Sequence, residues 1–446
     1  TAAPAWKRHP TDDADLERYL ADDVATTGAV AEPVWREVVA TDQQRVYAID
    51  ARLAPVGRAM SALGIRIDRD VQRRLAAQYT SRADRLRTEF VGACGREVNP
   101  RSYPQVRDFI YDDLELPVLD DHLTDSDEPS TDESALLDLL ALGLDARATK
   151  VVHSLLLFRG ADKILGTYTG RIEDLPGSVE GFDEGVLVGG PPLDADGRLR
   201  TGWNVGFGAC TGRWSSSDPV NLTNVPDDVR EMYVPESGHV FVARDFNALE
   251  LRLAALFAND EELSAMFRAF DEGRGPDVHT AVACDLFGCT AERVTKRIRV
   301  LTKRIEFGVG YGAGAEKVWE QIRLEHDDEF KPAFPDIDWP EVQRVYRLYK
   351  ERRPKLFAWR EEQPRLWRRQ GFLASAWHGR RRYFLGGEAA REEMFNFPIQ
   401  SSAADMQNEA VLACVGALSF DFAARTGLVL QVHDQLVLEV PDTPER

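Results

Sequence analysis

The chain has 446 residues, room for roughly two to four structural units of about 100–200 residues each. With 43% hydrophobic and 29% charged residues it reads as an ordinary water-soluble globular protein, and no uncharged apolar run reaches the ~18 residues a membrane-spanning helix needs. A net charge of −19 argues, taken alone, against a polyanionic partner, because phosphate binding is driven by Lys and Arg.

That charge is unevenly spread. Acid gathers at Asp12–Asp23 and Asp112–Glu133, base at Arg293–Arg304, Arg344–Arg369 and Arg380–Arg382. Local potential decides where a polyanion lands, although solvated helix faces would give the same pattern. Cys94, Cys210, Cys284, Cys289 and Cys414 form no CxxC pair, so reduced thiols of a cytoplasmic protein are expected.

The chain opens TAAPAWKRHP, without an initiator Met or an apolar signal core, and reads as a processed or truncated product. Residues 1–45 are polar and acidic. Ile49, Leu53, Val56 and Met60 then recur at helical spacing, with Gly64 as a stop, and a second helix covers about Asp70–Ala93. Pro117–Asp132 reads as an exposed loop; helical spacing resumes over Leu136–Leu144 and Val151–Tyr168. Gly and Pro break the chain at 175–197, the best candidate boundary. HVFVARDF then predicts a strand ending near Arg244, ALELRLAALFA a helix, and 278–370 mainly helices with a loop around Asp327–Pro340. Near the end LVLQVH and LVLEV flank Asp434-Gln435, a hairpin signal.

Asp245, at a strand end, and Asp434, at the hairpin tip, are carboxylates on rigid mounts, which suits hard divalent cations. Two such ions can serve the attacking and leaving oxygens of phosphoryl transfer. A turn Asp and a helix N-cap Asp are the plainer reading. Arg299, Lys303, Phe307 and Tyr311 recur every four residues, forming one slowly turning stripe on a helix. Cations suit a triphosphate and rings suit a base or sugar. Core rings with snorkelling cations would also fit. Gly308, Gly310 and Gly312 each cost a helix end about 1 kcal/mol, which makes sense where a base pair must approach the backbone.

TGRWSSSDPVNLTNVP (211–226), DFNALELR (245–252), KRIEFGVGYG (303–312) and QVHDQLVLEV (431–440) resemble the motifs of family A DNA polymerases, in the family's order. PDVHT (276–280) and NFPIQSSAAD (396–405) fit too, and the resemblance covers about Val46 to Val440. GAGAEKV, after the third motif, looks more like the phage members. YLADD (19–23) resembles the last motif of a 3′–5′ exonuclease, with Tyr19 and Asp23 as the matching pair; the earlier acidic motifs are absent.

The resemblance implies an α+β right-hand fold, with mainly helical thumb and fingers and an antiparallel-sheet palm. It divides the chain into an exonuclease remnant (1–45), thumb and palm entry (46–198), palm (199–255), fingers (256–385) and palm again (386–446). It implies a template-directed DNA polymerase that extends a primer 3′ end with dNTPs, acting as a monomer in the cytoplasm (the host's, if viral), without a membrane partner. Its cofactor would be two Mg²⁺ ions, with Mn²⁺ as a substitute. Asp245 and Asp434 would hold both metals with the carbonyl of Phe246. Glu250 would be the steric gate against a ribose 2′-hydroxyl. His279, Arg299 and Lys303 would grip the triphosphate, with Lys303 also the proton donor to pyrophosphate. Phe307 would stack near the sugar and Tyr311 against the nascent pair. Arg213, Asn224, Asn396, Gln400 and His433 would contact primer or template, and Lys163 the duplex backbone.

Some residues depart from the family pattern. Gln435 follows Asp434 where Glu is usual, Ala248 stands for Gln, Glu306 for Asn or similar, Ser401 for Gly and Thr223 for Gln. Val220 reads as an insertion, and Arg391-Glu392 reverses a usual order. Gln435 and the acidic surface keep open a catalytically weakened member that acts as a primer–template binding module. Glu250 argues against a single-subunit RNA polymerase, and the helix stripe against a nuclease built on the same two aspartates.

Overall fold

The computed structural model describes residues 13–119, 122–124, 126–173, 186–206, 208–310, 312–323, 334 and 336–443. Tyr311, the start of the chain and parts of the expected breaks at 175–197 and Asp327–Pro340 lie outside these residues.

Some of the acid charge caps helix starts. Asp68, Asp132, Asp145, Asp260, Asp277 and Asp338 each accept a backbone N–H of the turn that follows, satisfying donors that the helix itself cannot. The helices Arg69–Cys94, Glu133–Ala141 and Ala146–Ile164 bury one apolar core around Phe90, Phe109, Leu136 and Leu155. A larger core gathers Leu249–Phe257, Val278–Phe287, Lys296–Gly310, Ala315–Arg323 and Trp339–Arg352 around Leu253, Val282, Ile305, Val318 and Tyr349.

Between these lies a three-stranded antiparallel sheet ordered Gly427–Val432, Gln435–Pro441, His239–Asp245. The register pairs Gln435 with Asp245 and Pro441 with His239. Its hairpin turn is His433-Asp434, one residue earlier than the spacing predicts, and Gln435 is already a strand residue. The expected strand likewise runs one residue further and includes Asp245. The shift matters, because it seats the Asp434 backbone beside Phe246, whose N–H donates to the Asp434 carbonyl at 3.1 Å.

The helices Gln44–Leu63 and Arg391–Ala417 pack on the sheet through Leu53, Met60, Val411, Leu428 and Leu436. Residues 44–63 therefore share the sheet's own core. The helix Asp13–Ala40 precedes them and carries Tyr19 and Asp23 on its exposed surface, one turn apart.

One buried ion pair ties the sheet to the rest. The Arg198 side chain, with 0% exposure, donates to the carbonyls of Leu63 (2.8 Å) and Gly64 (2.9 Å) and to the Glu439 carboxylate, itself wholly buried. Removing Glu439 leaves the buried Arg198 with only the partly exposed Glu236 at 3.4 Å as counter-charge and takes away the acceptor of the Glu236 N–H. Glu439→Ala is expected to destabilise the chain by about 3–5 kcal/mol, read as a lower urea midpoint.

Candidate active site

The first carboxylate is set by the strand His239–Asp245, whose last residue is exposed at the sheet's end. The second sits in the turn. His433 has φ 51°, a left-handed conformation that costs a side-chain-bearing residue about 1–2 kcal/mol. Amide groups of Gln407 and Gln431 (2.9 Å) both donate to the His433 carbonyl and hold the turn in that shape. Such over-determined strain is common where side chains must be aimed.

Asp434 is half-buried, not exposed as its hairpin position suggests. Burial pushes its carboxyl above the ordinary value; Arg213 pulls it back in part, and the like charge of Asp245 pushes it up again. Two carboxylates that repel each other, one at a strand end and one in the adjoining turn, are a donor set that a divalent cation relieves. Among the described residues no three His, Cys, Asp or Glu side chains converge as a complete metal cage. Two carboxylates alone leave room in the shell of a hard divalent cation for water or substrate oxygens.

Facing the carboxylates across a cleft of about 700 Å³ is the helix Lys296–Gly310. Arg299, Lys303 and Phe307 all line the cleft, with His279, Arg213, Glu250, Phe246 and His433. Phe307 is 39% exposed, so the core-ring reading fails for it. The Lys303 Nζ lies 5.6 Å from its centroid, and the His279 ring centroid 5.9 Å from it. Arg213 donates to the Glu250 carboxylate in the first turn of Leu249–Phe257, which tethers that side chain at the cleft floor.

Two partners escaped the sequence reading. Asp277 caps the helix that carries His279 and also accepts from Arg299 at 3.0 Å. Burial opposes its ionisation, but hydrogen bonds from Thr280 and Arg299 win and hold its carboxyl below the ordinary range. The Asp-x-x-Thr capping spacing in PDVHT was the available signal. Glu306, noted only as a departure, is 2% exposed and lies 2.6 Å from the Nδ1 of His279. Nothing in its spacing marks it, since it sits beside Phe307 on the helix face turned inward.

The glycines divide by role, against the expectation that all three open the backbone to a base pair. A Cβ on Gly308 would lie 2.4 Å from Val318, so this glycine seats the next helix. Gly312, at φ 87°, would meet Phe395 and Glu392. Gly310 alone of the three lines the cleft, with nothing within 4 Å of its would-be Cβ.

Asn224, Asn396, Gln400 and Lys163 do not line the cleft. Asn224 is exposed at the end of the short turn Leu222–Asn224, where its carbonyl accepts from the Tyr168 hydroxyl at 3.1 Å. Asn396 and Gln400 are half-buried, one turn apart on Arg391–Ala417, and Lys163 is exposed near the end of Ala146–Ile164.

The family model for "DNA polymerase family A" matches residues 69–445. The chain belongs to this family. It is 31% identical to the thermostable DNA polymerase I of Thermus aquaticus, over 88% of this chain and 43% of that protein. It is 32% identical to the counterpart from Thermus thermophilus, over 89% of this chain and 44% of the relative, and 30% identical to DNA polymerase I of Pseudomonas aeruginosa. The chain thus spans less than half the length of these family A relatives. Its fold matches that of the POL domain of Pol1 from M. smegmatis, solved in complex with DNA primer-template and dNTP, with a TM-score of 0.70 at 23% identity, over 93% of this chain and 68% of that one. The family fold is a mostly helical right hand around a small antiparallel sheet. No helix among the described residues is long and apolar enough to cross a membrane.

Proposed function

We propose that this chain is a template-directed DNA polymerase that adds dNTPs to a primer 3′ end and releases pyrophosphate. The observation that carries the reading is the cleft itself. Two aspartates, one ending a strand and one in the adjoining hairpin turn, line a cleft together with Arg299, Lys303, Phe307 and His279. A metal site alone would serve a nuclease; the cationic and aromatic wall opposite suits a nucleoside triphosphate.

In this reading Asp245 and Asp434, with the Phe246 carbonyl, hold two Mg²⁺ ions. Bound there, the ions supply charge stabilisation to the attacking and leaving oxygens. The protein's remaining work is positioning and charge neutralisation, which dominate phosphoryl transfer. Arg299, kept in place by Asp277, and His279 grip the phosphate tail. Lys303 faces the leaving pyrophosphate and gives it a proton. Phe307 offers its exposed ring to the sugar; Tyr311, outside the described residues, keeps its proposed role at the nascent pair. Arg213, Asn224, Asn396, Gln400 and His433 line the path of primer and template, and Lys163 touches the duplex backbone. The helices of 256–385 act as fingers, and 1–45 reads as the tail of an exonuclease domain through Tyr19 and Asp23. The phage-type reading of GAGAEKV belongs to the same proposal.

A primer-extension assay with Mg²⁺ and each nucleotide type tests the function. Extension with dNTPs is expected, and duplex binding without extension in any metal would favour the binding-module reading instead. Because Arg213 tethers Glu250, the gate cannot swing aside. Glu250→Ala is therefore expected to improve ribonucleotide incorporation relative to dNTP by about 10- to 200-fold, the range one small group in a pocket controls.

A further inference from the structure

Glu306 is poorly explained as a structural residue. It lies on the inward face of the helix Lys296–Gly310, and its Oε1 has no hydrogen-bond partner. Its Oε2 meets only the Nδ1 of His279, at 2.6 Å. A half-satisfied buried carboxylate weakens a fold, and an apolar side chain of similar size would serve the core better. Burial drives its carboxyl above the ordinary value, with His279 and then Arg353 opposing and Asp277 adding to the rise. The other ionisable group packed near it is Tyr349, fully buried from the helix Trp339–Arg352. Arg353 is already engaged by Glu262 and Asp285 at 3.0 Å each. His279 is the one group Glu306 reaches.

We propose that Glu306 is a positioning residue that keeps the Nε2–H of His279 aimed into the cleft as a hydrogen-bond donor to the triphosphate. The argument is one of proton placement. The short Glu306–His279 contact holds one proton between Oε2 and Nδ1. With a second proton on Nε2, the pair presents a donor to the cleft wherever the shared proton sits. Without a partner for Nδ1, the ring can turn or take the tautomer whose Nε2 is a bare lone pair, which a phosphate oxygen repels. Burial pushes the Glu306 carboxyl upward, which favours a proton staying on its side of the contact. The Phe307 ring lies 5.9 Å from the imidazole, tilted by 37°.

This inference rests on the triphosphate-binding reading, and its test separates the two. In steady-state extension, Glu306→Leu is expected to raise the KM for dNTP about 5- to 20-fold with kcat within about twofold, while its melting temperature stays level or rises, as loss of a half-satisfied charge predicts. In a His279→Ala background the same substitution should no longer change KM. Imidazole ¹⁵N spectra of the nucleotide-free chain should place a proton on Nε2 in the parent, and lose that single arrangement in Glu306→Leu. An unchanged KM in a chain that extends primers would overturn the inference and leave the polymerase reading intact. So would a melting temperature lowered by several degrees, which would make Glu306 a structural residue. If the parent never extends primers, the polymerase reading fails, and the ¹⁵N spectra still decide whether the pair exists.

Discussion

Asp245→Ala and Asp434→Ala are each expected to cut primer extension at least about a thousandfold, while primer–template affinity changes only a few-fold. Metal-borne charge stabilisation is worth several kcal/mol, and each 1.36 kcal/mol is a factor of ten in rate. Neither carboxylate can stand in for the other, because Asp245 ends one strand and Asp434 lies in the neighbouring hairpin turn, so losing either removes half of the donor pair. Duplex binding should persist, since it depends on phosphate contacts made elsewhere by Lys and Arg. A companion substitution sharpens the test. Asp434→Asn removes the charge that burial and Asp245 disfavour, so the metal-free protein should melt at a higher temperature than the parent even as extension disappears. The sign follows from the direction of the shift: a carboxyl raised in the folded state costs stability once it ionises, above its ordinary value. Extension by Asp434→Ala at the parental rate would sink the two-metal assignment, and a lower melting temperature for Asp434→Asn would contradict the repulsion between the carboxylates.

The site was legible in the sequence where chemistry demands a residue type at a fixed spacing. Arg299, Lys303 and Phe307 recur every four residues, and the structure lines one cleft with them. Asp245 was legible because a β-rich run leads straight into it. What stayed hidden was pairing across the fold. The Asp277–Arg299 and Glu306–His279 contacts join residues 22 and 27 positions apart, and no local pattern reports which of many acids will meet which base. Glycine roles were hidden for the same reason. Gly308 and Gly310 are equivalent in a helix pattern, and only the arrival of Val318 against one of them tells them apart. The hairpin erred by one residue because apolar alternation marks the strands but not the left-handed φ of His433, which places the turn. The buried Arg198–Glu439 pair was also missed, since a charged residue in a strand is read by default as solvent-facing.

Lys303→Ala should slow single-turnover incorporation by about 10²- to 10⁴-fold, the usual contribution of a positioned general acid. The geometry makes this a clean substitution. Lys303 is exposed, pairs with no carboxylate among the described residues, and stands over the Phe307 ring. That cation–π contact is worth about 0.5–1 kcal/mol at an exposed site, too little for its loss to unfold the helix. Arg299, by contrast, already shares its charge with Asp277; in the proposed mechanism it grips the ground-state phosphates, and Lys303 supplies charge and a proton to the leaving group. Lys303→Arg separates those two contributions. A guanidinium keeps the charge but does not give up a proton in the working pH range. The arginine variant should therefore recover nucleotide binding, seen as a near-parental KM, while its rate stays at least about tenfold down. Full recovery of the rate by arginine would show that charge alone suffices. A loss of under threefold in the alanine variant would remove Lys303 from the chemistry and leave the leaving group to the metals.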